Sequence, residues 1–317
     1  MRFRRISTLV FMGALSAAAC GGGNPGTTSG GSVASPGVQQ NIASQVPAAI
    51  KSKGSVSVAT DATYAPNEFV DPSSRQIKGW DVDLGNALGS VMGVKFSFNN
   101  ADFNSIIPAL GSRYDLGISS FSPTAEREKT VDFVTYYKAG ESFITKKGGA
   151  SVNSLADLCG KTVAVETGTT EESDAYAYVG KKPDGSPLAG GTNFCKKAGK
   201  PDITVHSFTK QTQANTEVTS GKADAGFADQ PVAAYQAKLN SQLQLSGKAC
   251  SVAPYGIALP KNSGLAKPLQ AAVKYLIDSG TYDKILNSWG VDSGAIKSSD
   301  VGMNINSIAG EPSCVPS

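Results

Sequence analysis

Ser119, Ser120, Ser122 and Arg127 stand at the end of the stretch 115–127, Asp-Leu-Gly-Ile-Ser-Ser-Phe-Ser-Pro-Thr-Ala-Glu-Arg. Hydroxyls and loop backbone groups hydrogen-bond a small polar ligand, and the planar fork of arginine takes a carboxylate in two parallel hydrogen bonds. The expectation is a loop that grips a small carboxylate. The competing reading makes Arg127 a solvated charge in the run Glu126, Arg127, Glu128, Lys129. A second candidate is Gly168-Thr169-Thr170-Glu171-Glu172, which reads as a helix start with Thr169 or Thr170 as N-cap and acids behind it. Such a start can receive an anion on its free N–H groups. Asp229, just before Pro231, holds an ordinary N-cap position. The lone His206 falls within a strand, and neither a Ser/His/Asp set nor a phosphate-cradling loop accompanies it.

These residues need a scaffold, and the patterning supplies one. The apolar run closing at Ser119 reads as a buried parallel strand, with Pro123 in the loop beyond its carboxyl end, where open α/β sheets bind ligands. Strands are expected at 56–60, 94–98 and 115–120, with helices at 79–92 and 103–110 between them. The helical spacing of Trp80 with Leu84, Leu88, Val91 and Met92 places it in the core. A second set follows a strand at 143–146: a helical turn at 155–159, strands at 162–166, 203–206, 223–228 and 243–245, and helices from about Gln211 and Pro231. A strand at 255–259 and amphipathic helices at 265–277 and 282–289 close the pattern, and residues after Val291 read as polar and irregular until Cys314. Alternating strands and helices argue for parallel sheet.

The first residues carry Arg2, Arg4 and Arg5, an apolar stretch over 6–15 and small residues before Cys20. This order predicts a secretory signal over 1–19 and an exported protein. Residues 15–20 resemble a lipobox, although Ala17 sits where a branched residue is usual, so Cys20 is expected to be lipidated and Ala-x-Ala cleavage is the alternative. Five cysteines are an odd count for an exported chain, and lipidation would leave Cys159, Cys195, Cys250 and Cys314 to pair. The Gly/Ser/Thr/Pro composition that follows reads as a flexible tether, bounded at 20–54. The net charge of +3 is matched by the leader arginines, so the mature chain is near neutral and no nucleic-acid footprint is expected.

In order and spacing, Thr60-Asp61-Ala62-Thr63-Tyr64-Ala65-Pro66, Gly79-Trp80-Asp81-Val82-Asp83-Leu84, Asp102-Phe103, Ser119-Ser120-Phe121-Ser122 with Arg127, Val131-Asp132-Phe133, Gly168-Thr169-Thr170 and Ala228-Asp229 resemble the polar amino-acid-binding proteins of ABC importers. This is the family of the lysine/arginine/ornithine- and glutamine-binding proteins, also called family 3 solute-binding proteins. The resemblance implies an α/β, two-lobed periplasmic-binding-protein-like (type II) clamshell. Each lobe would be a mainly parallel sheet covered by helices, with two interlobe crossovers. Lobe 1 would hold 55–140 and 254–291, lobe 2 would hold 141–253, and 292–317 would be a C-terminal tail. Ligand would close the hinge. Lipid-anchored at the outer face of the cytoplasmic membrane, a monomer would deliver a free amino acid to an importer permease.

Carried over by position, the resemblance implies that Arg127 pairs with the ligand α-carboxylate, helped by Ser122 and by Thr170 beside Thr169. Asp229 would take the α-ammonium with the Ser120 carbonyl and the Ser122 hydroxyl, and Ser119 would add a hydroxyl. Tyr64 and Phe103 would sandwich the side chain. Asp61, Glu68 and Glu171 would surround its far end, which favours lysine, arginine or ornithine over glutamine. Asp61 is shared by glutamine binders and acids of the Glu68 kind are widespread, so the lean towards a basic ligand rests on Glu171. Solvated or capping roles are the alternatives for Glu68 and Glu171. On the lobe assignment Cys159 would pair with Cys195, and Cys250 with Cys314, other pairings remaining open. The cysteines lack paired ligand spacing, so no metal is expected, and no cofactor. The rival function is an enzyme on the same scaffold, of cyclohexadienyl-dehydratase or peptidoglycan-lyase type.

Overall fold

The β-branched and small residues over 55–60 build a strand that is covered on both faces at its carboxyl end: Val58 and Ala59, on opposite faces, are fully buried. The computed structural model describes residues 35–149 and 151–316, so the expected signal and Cys20 lie outside the described residues. In chain order the elements are α1 (Gln40–Ala43), α2 (Ala48–Lys53), β1 (Ser55–Thr60), β2 (Thr63–Tyr64), β3 (Glu68–Val70), β4 (Ile77–Lys78), α3 (Trp80–Met92), β5 (Lys95–Asn100) and α4 (Phe103–Ala109). There follow β6 (Leu116–Phe121), β7 (Val131–Lys146), β8 (Thr162–Glu166), α5 (Thr170–Ala177), α6 (Phe194–Lys197), β9 (Thr204–Phe208), α7 (Gln211–Ser220) and β10 (Ala225–Asp229). The chain closes with α8 (Gln230–Leu239), β11 (Leu243–Pro260), α9 (Ala266–Asp278) and α10 (Thr281–Trp289).

Eight strands form one sheet in the order β5-β1-β6-β11-β7-β10-β8-β9. Strands β5, β1 and β6 are mutually parallel at one end, and β10, β8 and β9 at the other. Between them the antiparallel pair β7 and β11 runs through both halves, 16 and 18 residues long. These two strands are the expected pair of crossings. Their register shifts between Ser246 and Cys250 and again between Cys250 and Ala253, so the ladder bends where the halves meet. Gly140 lies at that bend because a Cβ there would come within 2.9 Å of the Cys250 carbonyl oxygen.

Three differences from the sequence reading stand out. Residues 243–245 and 255–259 are one strand, because Gly247, Lys248 and Ser251 hide the pattern that joins them. Residues 40–53, assigned to the tether, form α1 and α2 and bury Ile42 and Val46 against the core that holds Trp80. The tail, expected to be tied back at Cys314, is also held earlier along its length: Thr135 N–H donates to the Gly302 carbonyl, and the Asn304 side chain accepts from Phe133 N–H at 2.8 Å. It thereby covers the part of β7 that β10 leaves unpaired.

The core is uneven. Trp80, Tyr136, Tyr137, Tyr255 and Tyr282, all nearly or fully buried, pack with α3, α9 and α10 in the first half. The second half has a smaller cluster around Phe143 and Phe227, stacked 4.5 Å apart, and it carries both disulfides. These join Cys159 to Cys195 and Cys250 to Cys314, the pairing the resemblance implied.

Candidate ligand-binding cleft

The carboxyl ends of β1 and β6 set the first wall. Because successive residues of a strand point to opposite sides, Ser120 and Ser122 line a cleft while Ser119 turns away from it. Ser120 has φ +52°, a conformation unusual for a non-glycine residue, and its hydroxyl is fixed by the Asn67 side-chain amide at 2.9 Å and by Asp81. Asn67 in turn accepts from the Trp80 indole at 2.7 Å, and Asp81 accepts from the Tyr136 hydroxyl at 2.9 Å. The wall is therefore anchored in the aromatic core.

Arg127 crosses the mouth. Its guanidinium donates to the Ser122 carbonyl at 2.7 Å and to the Gly168 carbonyl at 2.8 Å, and it lies over the rings of Phe103 and Phe121 at 5.3 and 5.8 Å. Gly168 has φ +84°, which turns that carbonyl towards the arginine. Five N–H donors leave the fork with capacity for an anion after these two bonds. Tyr64 and Phe103 meet edge to face, 5.9 Å between ring centres.

The second wall comes from α5 and α8. Thr169 is the N-cap, accepting from Glu172 N–H at 3.1 Å, while the Glu172 carboxylate accepts from Gly168 N–H. Thr170 and Glu171 thus sit in the first turn, where backbone N–H groups have no helical partner. Asp229 occupies the N-cap position of α8 but makes no side-chain capping bond, so its carboxylate is available to the cleft. Burial pushes the Glu171 carboxyl up to about 7, and burial beside Glu171 holds Asp229 well above its ordinary value. Burial also lowers Arg127 from its usual value, with Glu171, Tyr64 and Asp229 opposing the shift.

The cleft is lined by Tyr64, Phe103, Ser120, Ser122, Arg127, Thr169, Thr170, Glu171 and Asp229 together with Gln211, Ala228 and Val232. The empty space within it, open solvent included, is about 380 Å³. Three of the expected residues are not in its lining, each because it has an internal partner. Asp61 is fully buried and accepts from Phe103 N–H, the Thr63 hydroxyl and Lys210. Glu68 is fully buried against Asp81 and accepts from the Ser119 hydroxyl at 2.8 Å, and burial raises its carboxyl well above the ordinary range. Ser119 is consumed by that bond and by accepting from Asp61 N–H.

Sequence reasoning missed Lys210, whose ammonium lies 2.9 Å from Asp61 and 2.8 Å from Asp102. It ties the start of α7 in one half to β1 and α4 in the other, a contact 149 residues apart in sequence. It also missed Gln211 and Glu166. The latter is buried at the end of β8, where burial and Asp61 push its carboxyl up to about 9. An acid ending a strand and a Lys-Gln pair opening a helix give no signal without the fold.

The model of the bacterial extracellular solute-binding proteins, family 3, matches residues 56–292. The chain belongs to that family. This family 3 protein is 32% identical over 257 residues to the arginine-binding protein ArgT of Corynebacterium glutamicum, covering 80% of each chain. It is 36% identical to a solved ancestral arginine-binding protein bound to arginine, with a TM-score of 0.64 over 74% of this chain and 98% of that one. A second solved ancestor, AncCDT-1, described as a precursor of cyclohexadienyl dehydratase, is 34% identical with a TM-score of 0.64 over 76% of this chain and 97% of that one. The structural relatives are two-lobed amino-acid-binding proteins, and the fold expected from the resemblance is the one found.

Proposed function

We propose that this family 3 protein captures a free cationic L-amino acid, arginine foremost, in the cleft and presents it to an ABC importer permease. The observation that carries the reading is charge balance in one narrow space: Arg127 from one half faces Glu171 and Asp229 from the other. A zwitterion satisfies Arg127 with its carboxylate and Asp229 with its ammonium, and the remaining acid then prefers a ligand with a second positive charge. Tyr64 and Phe103 offer ring faces and edges to the aliphatic stem and the cationic end. The named function of the relatives supports the class of ligand, since several are called arginine-binding proteins and one a glutamine-binding protein.

Isothermal titration against arginine, lysine, ornithine and glutamine tests the reading: arginine should bind at least tenfold more tightly than glutamine, and equal affinity would overturn the preference. Chromatography of the same samples separates binder from enzyme, since a binder returns its ligand unchanged. The site roles of Tyr64, Phe103, Ser120, Ser122, Arg127, Thr169, Thr170, Glu171 and Asp229 are part of this proposal, as are lobes hinged at β7 and β11. Anchoring through Cys20 at the outer face of the membrane is supported by the order of leader residues, and retention of a Cys20→Ser variant in the membrane fraction would refute it.

A further inference from the structure

A second cavity lies behind the cleft, against the bend of β7 and β11, and shares Ser122 and Thr170 with it. It holds about 690 Å³ including space open to solvent. Its polar lining is oxygen-rich: the carboxylates of Glu141, Asp174 and Glu311, the hydroxyls of Thr170 and Ser251, and the Asn306 amide, with no Lys, Arg or His among the described lining residues. The tail forms the outer wall, held by the Cys250–Cys314 disulfide and by Ser251 N–H on the Pro312 carbonyl at 2.7 Å.

Glu141 is only 3% exposed, and its Oε2 has no hydrogen-bond partner. Asp174 accepts from the Ser251 hydroxyl at 3.0 Å. Ligand oxygens of the two carboxylates lie within 4.8 Å of one another, together with the Cys314 sulfur. That sulfur is already bonded to Cys250 and offers no thiolate, so the donor set is oxygen only. Among the described residues neither acid has an ion-pair partner, whereas the two acids of the front cleft face Arg127.

Two buried carboxyls without a cation either share a proton or recruit a positive ion. The pair Glu68 and Asp81 has no room for an ion: both are fully buried, neither lines any of the cavities described, and hydroxyls of Ser119, Ser120 and Tyr136 donate to them. The pair Glu141 and Asp174 differs in opening onto a roomy, oxygen-lined space reached from outside. We infer that Glu141 and Asp174 hold a partly hydrated divalent cation of the calcium class, with Ser251, Thr170 and water completing its shell. Oxygen ligands at about 2.3–2.6 Å from one Ca²⁺ stand within about 5 Å of each other, which matches this pair. The wide, irregular lining suits the adaptable shell of Ca²⁺ better than the rigid octahedron of Mg²⁺. The inference goes beyond amino-acid binding and does not depend on which ligand fills the front cleft.

The test is thermal melting of the chelator-stripped mature protein in 0 and about 5 mM CaCl₂, with MgCl₂ and NaCl at matched ionic strength as controls. Sites of this kind in exported proteins bind with Kd of about 10⁻⁴–10⁻³ M, so Ca²⁺ should raise Tm by several degrees and Mg²⁺ by less. Glu141→Gln and Asp174→Asn should each abolish the shift. No Ca²⁺ effect on the unmodified protein, or an equal shift in both variants, would overturn the site and leave a shared proton as the explanation. Should either variant fail to fold, Tb³⁺ luminescence on the unmodified chain decides: emission displaced by Ca²⁺ at the same concentration supports the site, and none refutes it.

Discussion

The two halves of the molecule contribute to the cleft in different ways. The first half presents a wall whose polar groups are already satisfied internally: Ser120 is held by Asn67 and Asp81, which are held by Trp80 and Tyr136. The second half presents acids with few fixed partners, Glu171 at a helix start and Asp229 at an N-cap that does not cap. One wall is pre-organised, so it loses little entropy on binding, and the other brings charge that a ligand must neutralise. On the proposed reading, the first wall contributes shape and the one guanidinium of Arg127, and the second contributes the acids.

The largest effect that would break this contrast is at Arg127, the charge carried by the organised side. Arg127→Ala should weaken amino-acid binding by about 2–5 kcal/mol, at least thirtyfold in Kd by titration, since it strands a ligand carboxylate. Arg127→Lys should recover only part of that loss, because an ammonium cannot reproduce the two-pronged contact. Undiminished affinity in the alanine variant would remove the site as drawn.

Next comes the difference in cores. Among the described residues the second half has smaller aromatic pairs, Phe143 with Phe227 and Tyr178 with Phe194, where the first half clusters Trp80, Tyr136, Tyr137 and Tyr255, and it carries both disulfides. Cys159→Ser with Cys195→Ser should cost about 2–4 kcal/mol of stability by denaturant titration. Hydrogen exchange should show the loss in β8, β9 and α5 first, with β1 and α3 little changed. Uniform loss of protection would mean that the halves do not differ in this respect.

The smallest effect is a pH dependence confined to the charged wall. Burial raises the Glu171 carboxyl from its ordinary value of 4.5 to about 7. The folded state therefore binds more protons than the unfolded state between those values, and this residue's contribution makes stability fall as pH rises through that window. A cationic ligand favours the ionised form, so arginine affinity should rise severalfold from pH 5.5 to 8 while glutamine affinity changes less. Glu171→Gln should flatten the arginine profile, and an unchanged slope in that variant would assign the effect to another group.

The alternation of strand and helix was legible because β1 alternates Val56 and Val58 with serines, β8 is a short β-branched run, and α3 repeats Leu84, Leu88 and Val91 at helical spacing. The long strands β7 and β11 were legible only in pieces, since their centres carry Lys138, Glu141, Gly247 and Ser251 at the bend. Arg127, Asp229, Tyr64 and Phe103 were brought together as expected, but Asp61, Glu68 and Ser119 were not. Sequence order says that a residue lies at the end of a strand. It does not say which side its chain takes, and Ser119 beside Ser120 shows that one step decides it. Contacts such as Lys210 with Asp61 join distant segments and leave no trace in local pattern.

The single ammonium of Lys210, about one-fifth exposed, spans Asp61 and Asp102 across the seam. On the proposed reading, opening the cleft separates this one cation from two anions at a wet rim, which electrolyte assists by screening. Affinity for a ligand in the cleft is thereby linked, on the same reading, to the ionic strength of the surroundings.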